Sequence, residues 1–438
     1  MAQTPREIMD EGKLGNWQIA ALCMTIVLNA LDGFDVMSIS FAAPGIAEEW
    51  QVPQDVLGWV LAMELIGMAV GSILLGGLAD RFGRRPTILS CLTVMSAGML
   101  MVPLSSGVGE LSFWRLLTGL GIGGMLAALN ATVAEFSNAR YRSLVLPLMV
   151  TGYPLGAFLG GLMASNMLEA GDWRGVFYLG AGFTIAAIPL SFWLIPETPD
   201  WLADRRPKNA LQRINRTLTR FGLPVAEALP ETVRQQSKAS LADIFKPPLL
   251  SRTVLLTFAY LTHVTAYYYF VKWIPKLVVD MGFDASAGGE VLTKAMLGGA
   301  IGGGTLGLLA LRIGIKKATV IALAGAFVML NVFGRAPEDV ALLGWIAGAT
   351  AFFSNAAAVG FYALLAMAFP PHVRATGTGF GIGFGRAGAA MGPALAGILF
   401  ARGLDVGVVS LIISMGSAIA IGAVLLVKLA PTSDSRPA

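Results

Sequence analysis

Apolar stretches alternate with short polar ones along nearly the whole chain, and their lengths set the expected architecture. Twelve apolar runs stand near 17–41, 54–78, 86–105, 111–134, 144–168, 174–195, 252–275, 287–311, 317–334, 339–366, 375–401 and 405–429. At about 1.5 Å per residue, a run of roughly 20 residues crosses a hydrocarbon core of about 30 Å, so each predicts a transmembrane helix. One polar segment is much longer than the rest: 196–250 carries Pro, Arg, Gln and Ser between spans six and seven. The pattern predicts an all-α membrane protein with an N-terminal six-helix bundle over 1–195, a cytoplasmic linker over 196–250 and a C-terminal six-helix bundle over 251–438. The polar stretch 1–16 has no cleavable signal pattern, and the first span is expected to act as the insertion signal.

Composition agrees. Hydrophobic residues make up 55% of the chain and charged ones 13%, against roughly 25% charged in soluble domains. A net charge of +4 would hint at nucleic acid in a soluble protein, but here the Lys and Arg residues sit in loops beside the spans, where membrane orientation explains them. Counted by loop, 23 of them fall on one side and only Arg174, Lys276, Arg335 and Arg402 on the other. That asymmetry predicts both termini in the cytoplasm. Cys23 and Cys91 lie inside apolar runs, and His263 and His372 stand far apart, so neither a disulfide framework nor a metal site is expected. No Gly-x4-Gly-Lys motif is present, and no cofactor is expected.

The two halves repeat weakly. Gly156 and Gly160 match Gly388 and Gly392 at an offset of 232, which also relates Arg142 to Arg374. Arg81-Phe82-Gly83 matches Arg312-Ile313-Gly314 at an offset of 231. Such matches suggest a duplicated six-helix unit.

Charges inside the spans are the candidate chemistry, because each is costly in hydrocarbon. Span one carries Asp32 and Asp35 around Gly33. Two readings stand: they cap a break at Gly33, or they form a proton- or cation-linked site. Glu64 is a third buried acid; Arg115, Lys272, Lys294 and Arg386 are the buried bases. Asp35, about six residues and roughly 9 Å from the outer end of span one, is at a depth to pair with Arg115. That pair is either proton-linked or purely structural. Arg386 is about eleven residues into span eleven, among Gly381, Gly383, Gly385 and Gly388, with no acid nearby in sequence. Its planar fork suits a carboxylate ligand, and pairing with an acid of another span is the alternative. Tyr267 and Tyr268 are placed to stack on a substrate ring, whereas Trp273 suits an interfacial belt. His263 is mid-span, as a proton relay or a satisfied core residue. Lys272 and Lys294 are expected to snorkel to the outer interface.

One loop is more specific than any of these. Gly76-Gly77-Leu78-Ala79-Asp80-Arg81-Phe82-Gly83-Arg84-Arg85-Pro86 joins spans two and three. A tight positive-inside turn explains its arginines but not the ordered Asp-Arg-x-Gly-Arg-Arg. The string resembles the signature loop of the major facilitator superfamily. Trp114 to Gly124, Pro196-Glu197-Thr198-Pro199-Asp200-Trp201-Leu202, Asp32-Gly33-Phe34-Asp35 and the run Arg374 to Gly388 extend the likeness to the aromatic acid:proton symporter family. The resemblance implies twelve helices in two pseudo-symmetric bundles and a monomer in a bacterial cytoplasmic membrane. It implies import of a benzoate- or hydroxybenzoate-like anion with protons, by alternating access. An aliphatic organic acid importer or an exporter of the same fold is the alternative, and an enzyme is not expected. It further implies functional positions at Asp32, Asp35, Arg115, Glu135, Arg374 and Arg386, the first four assigned to proton coupling and Arg386 to substrate; Tyr267, Tyr268 and His263 join the substrate site on the reading of span seven alone. Asp80, Arg81, Gly83, Arg84, Arg85 and Arg374 fall to gating. One departure stands out: Leu311 occupies the place of Asp80 in the second half, so a two-sided charge latch should be lopsided.

Overall fold

The computed structural model describes residues 3–229, 240–370 and 373–427. His372, residues 230–239 of the polar connector and the terminal cations Lys428 and Arg436 lie outside them. The helices are α1 (Pro5–Glu11), α2 (Asn16–Trp50), α3 (Gln54–Leu74), α4 (Gly76–Phe82), α5 (Arg84–Met101), α6 (Val108–Phe136), α7 (Arg142–Glu169) and α8 (Trp173–Leu194). They continue as α9 (Pro199–Arg205), α10 (Ala210–Arg220), α11 (Leu249–Asp280), α12 (Ala285–Ile313), α13 (Ile315–Phe333), α14 (Val340–Ala368), α15 (Arg374–Ala401) and α16 (Val406–Leu426). Twelve spans among the described residues are long and apolar enough to cross a membrane, in the order the apolar runs predict. The main difference is α2, which continues through Pro44 to Trp50 where 17–41 was expected. Pro44 lacks only one N–H, and Ala42, Ala43 and Ile46 around it are fully buried, so packing carries the helix on.

Two compact units result: Met1–Trp50 with Met63–Gln235, and Gln51–Ala62 with Gln236–Ala438. In the first, α2 packs on α7 and α8, and α5 on α6 and α8. In the second, α11 packs on α15 and α16, and α13 on α14 and α16. The order of partners is the same in each.

Glycine placement explains the pairings, because helices in lipid approach through small residues and van der Waals contact. A side chain at Gly156 or Gly160 of α7 would strike the Ala30 carbonyl or the Phe34 ring of α2. Their repeat counterparts, Gly388 and Gly392 of α15, sit equally close to the Leu261 and Thr265 carbonyls of α11. On α3, Gly67 and Gly71 lie against the Leu116 and Leu120 carbonyls of α6. At the 231 offset, Gly298 and Gly302 of α12 lie against Gly348 and Phe352 of α14.

Candidate functional site

The sequence-predicted residues fall into three neighbourhoods. The first is inside unit one. The α3–α6 contact is reciprocal, since Gly119 and Gly123 of α6 lie against the Glu64 and Met68 carbonyls of α3. That approach brings Glu64 and Arg115 into an ion pair in which both side chains are fully enclosed. Arg115 Nη2 also donates to the main-chain carbonyl of Asp35 at 2.8 Å, while Nη1 lies 3.2 Å from Met99 Sδ. The expected Asp35–Arg115 carboxylate pair is therefore corrected. Arg115 is paired with Glu64 and reaches Asp35 through its backbone, because the α3–α6 glycines place Glu64 nearer. Asp35 is also deeper than expected. Fifteen residues of helix separate it from Trp50, about 22 Å rather than 9 Å. Asp32 and Asp35 straddle the middle of α2, 1% and 0% exposed. The helix is unbroken at Gly33, which lies against the Tyr153 carbonyl of α7, so the two acids cap no break there.

The second neighbourhood is the turn between α4 and α5, on the side rich in Lys and Arg. Gly83, at φ +111°, ends α4 and starts α5. Glu197 accepts the Arg84 N–H at 2.9 Å and the Thr198 N–H at 3.1 Å, closing the turn from the segment before α9. The Arg84 guanidinium pairs with Asp80 at 3.0 Å and with Glu135 at 2.8 Å. Arg85 donates to the Phe192 carbonyl at 2.6 Å and lies over that ring. Arg81 points outward beside Phe82. Glu135, expected with Arg115, thus lies instead with Asp80 and Arg84. It is twenty residues, about 30 Å, along α6 from Arg115. Around this turn, Arg6 of α1 pairs with Asp200 of α9 at 2.8 Å and donates to the Ala134 and Glu135 carbonyls. Asp10 of α1 pairs with Arg142. Burial pushes the Asp200 carboxyl up to about 6, against the opposing pull of Arg6. Glu197 is also raised by burial, with the N–H groups it accepts pulling the other way.

The equivalent turn in unit two keeps the glycine and loses the acids. Gly314 has φ +83°, and Leu311 is 84% exposed where Asp80 stands in unit one. Lys316 instead donates to the Leu425 and Val427 carbonyls at the end of α16, at 3.0 and 2.9 Å. Arg374 is exposed and caps the Phe369 carbonyl at 3.3 Å, as Arg142 caps Ala134 at 3.1 Å.

The third neighbourhood is in unit two. Arg386 lies twelve residues into α15, partly exposed, within electrostatic reach of Tyr260 of α11. The missing side chain of Gly385 makes room for the Tyr260 ring. The Tyr260 hydroxyl meets that of Tyr362 at 3.2 Å, and Tyr268 and Tyr267 adjoin the group with their rings 5.5 Å apart. Tyr260 and Tyr362 were missed in the sequence. Tyr260 is seven residues before Tyr267, two helical turns on the same face, which is the available signal. His263 is different: its ring is fully buried, with Nδ1 3.0 Å from Ser417 Oγ and Nε2 2.9 Å from the Ser354 carbonyl. Both nitrogens are committed to α16 and α14, leaving none for a substrate. Trp273 is not interfacial either. It is fully buried, donates to the Pro393 carbonyl at 3.1 Å and lies 4.9 Å from the Phe400 ring. Lys272 is wholly enclosed, so it does not snorkel, and Lys294 pairs with Glu290 at 2.6 Å.

Comparisons with known proteins bear on the family and the fold. The chain is 29% identical to the gallate transporter of Pseudomonas putida, over 89% of this chain and 86% of that protein. It is 27% identical to the 4-hydroxybenzoate transporter PcaK of Pseudomonas aeruginosa, over 96% and 94%. Identity is also 27% to the benzoate transport protein of Acinetobacter baylyi, over 90% and 86%. The fold matches a crystal structure of the nucleoside transporter NupG at a TM-score of 0.71 and 14% identity, covering 94% of this chain and 99% of that one. It matches the inward-open xylose transporter XylE from E. coli at 0.69 and 18%, covering 95% and 98%. With the Major Facilitator Superfamily description matching residues 25–334 and the duplicated six-helix units in place, the chain belongs to the Major Facilitator Superfamily.

Proposed function

We propose that the chain imports an aromatic carboxylate with protons by alternating access, in a bacterial cytoplasmic membrane with both termini inside. The observation that carries the reading is Arg386 within electrostatic reach of Tyr260, which adjoins Tyr362, Tyr268 and Tyr267 in turn, in a chain whose relatives are named for gallate, 4-hydroxybenzoate and benzoate. A guanidinium binds a planar carboxylate through two parallel N–H bonds, and tyrosine rings offer a stacking surface. Arg386 is the anchor, with Tyr267 and Tyr268 against the ring. Asp32 and Asp35 take the proton, and Arg115 holds Asp35 in place. The Asp80–Arg84–Glu135 group governs the change between states. The Lys and Arg bias supports the orientation.

Binding of labelled 4-hydroxybenzoate to purified protein tests the anchor. Arg386→Lys keeps the charge but not the fork and should weaken binding; Arg386→Ala should remove it. The corresponding amide should bind poorly to the unaltered protein. Binding of the acid by Arg386→Ala at unaltered strength would remove Arg386 from the site.

A further inference from the structure

Glu64 is a buried acid that the proposed cycle does not use, and it shares one guanidinium with a second acid. Arg115 is ion-paired with Glu64 and, through the same Nη2, hydrogen-bonded at 2.8 Å to the backbone of Asp35. All three residues are 0% exposed. Neither carboxyl oxygen of Asp35 finds a hydrogen-bond donor among the described residues. Among the described residues, the helix contacts bring to the cluster Asp32 of α2, Met99 and Cys91 of α5, Tyr153 of α7 against Gly33, and Gly180 and Phe177 of α8, none of them a cation. An ionised carboxylate is not tolerated in an apolar interior without a counter-charge or donors. One guanidinium can balance only one of the two acids beside it.

We infer that Arg115 exchanges between Glu64 and Asp35, and that Glu64 is a second proton-carrying residue of the transport cycle. The proposal rests on the reading of Asp35 as a proton acceptor. In the arrangement seen here, Glu64 is the ionised partner and the proton is on Asp35. When the O–H bond of Asp35 breaks and one forms on Glu64, Arg115 keeps all its protons and turns its N–H groups to the Asp35 carboxylate. The cluster carries the same charge before and after, so the exchange happens without stranding an ion. The Asp35 backbone bond already holds the guanidinium within a side-chain rotation of its second partner.

Infrared titration of the purified protein tests this without any substrate. The unaltered protein should show, near neutral pH, a carboxylic-acid C=O band that Asp35→Asn removes. In Glu64→Gln, Arg115 is released to Asp35, so the band should be absent near neutral pH and appear only in more acidic buffer. In proteoliposomes the same variant should move the external-pH midpoint of 4-hydroxybenzoate uptake down by about one unit, a tenfold loss of proton affinity. Counterflow at saturating substrate should persist. Glu64→Asp, which keeps the acid on a shorter arm, should move the band in the same direction by less. A band that stays at neutral pH in Glu64→Gln, or an unmoved midpoint in Glu64→Asp should the first variant fail to insert, overturns the proposal. Absence of uptake with an infrared shift present would instead count against the substrate assignment.

Discussion

Gly83 meets two demands at one position: its φ of +111° disfavours any side chain, and a Cβ there would strike the Glu197 carboxylate. Gly83→Ala should therefore cost about 1–3 kcal/mol and loosen the Arg84 N–H bond to Glu197. A fall in the thermal midpoint of the purified protein checks it, and an unchanged midpoint contradicts it. Arg115 is the converse case, a charge whose loss strands a partner. Arg115→Leu leaves Glu64 buried without its guanidinium and should cost about 3–5 kcal/mol, and adding Glu64→Gln should recover much of that. Denaturation of the single and double variants measures it. Glu64 was legible as the lone acid between Asp55 and Asp80, yet its partner was not. The choice between Glu64 and Asp35 is made by Gly67, Gly119 and Gly123, which fix how closely α3 and α6 approach. Residue type misled at Trp273 and Lys272 for a related reason. Interfacial habits describe average positions, and both of these side chains are fully buried.

At the scale of elements, α1, α9 and the end of α6 are held together by Arg6, Asp10, Arg142 and Asp200. The folded value of about 6 for Asp200 is above the ordinary carboxylate range near 4, so the folded chain binds this proton more tightly than the unfolded one. Its contribution to stability is then full below about pH 4 and is lost as pH rises through about 6. Asp200→Asn should remove that fall, and thermal midpoints of the two proteins compared across this window read it directly. A parallel decline in both would contradict it. The Asp80–Arg84 pair is different, because Asp80 is 60% exposed and adds little stability. Asp80→Asn should slow turnover while leaving affinity within a few-fold; a large affinity loss at normal turnover would be the contrary result. The loop itself was legible, since Asp80, Arg84 and Gly83 have roles set by local spacing. The acids that complete it, Glu135 and Glu197, come from distant segments, and only the resemblance pointed to either. The length of α2 was hidden because Pro44 and the acids Glu48 and Glu49 read as a helix end.

Across the whole molecule, the duplication is the most legible feature and has a physical basis. Gly67 and Gly298, Gly83 and Gly314, and Gly156 and Gly388 recur because each pair solves the same close approach or the same turn in its own unit. What the repeat does not preserve is charge. Among the described residues, unit one holds the buried acids Asp32, Asp35 and Glu64 and the Asp80–Arg84 pair, whereas unit two holds Arg386 and the Tyr260 group. That division is the central claim, with proton chemistry in one unit and carboxylate binding in the other. Accumulation of labelled 4-hydroxybenzoate in proteoliposomes under an imposed inward proton gradient tests it most directly. The account predicts accumulation above equilibrium that a protonophore abolishes, that aromatic acids outcompete aliphatic ones for, and that Asp35→Asn loses while retaining substrate exchange. Accumulation indifferent to the proton gradient, or undiminished in Asp35→Asn, would contradict it.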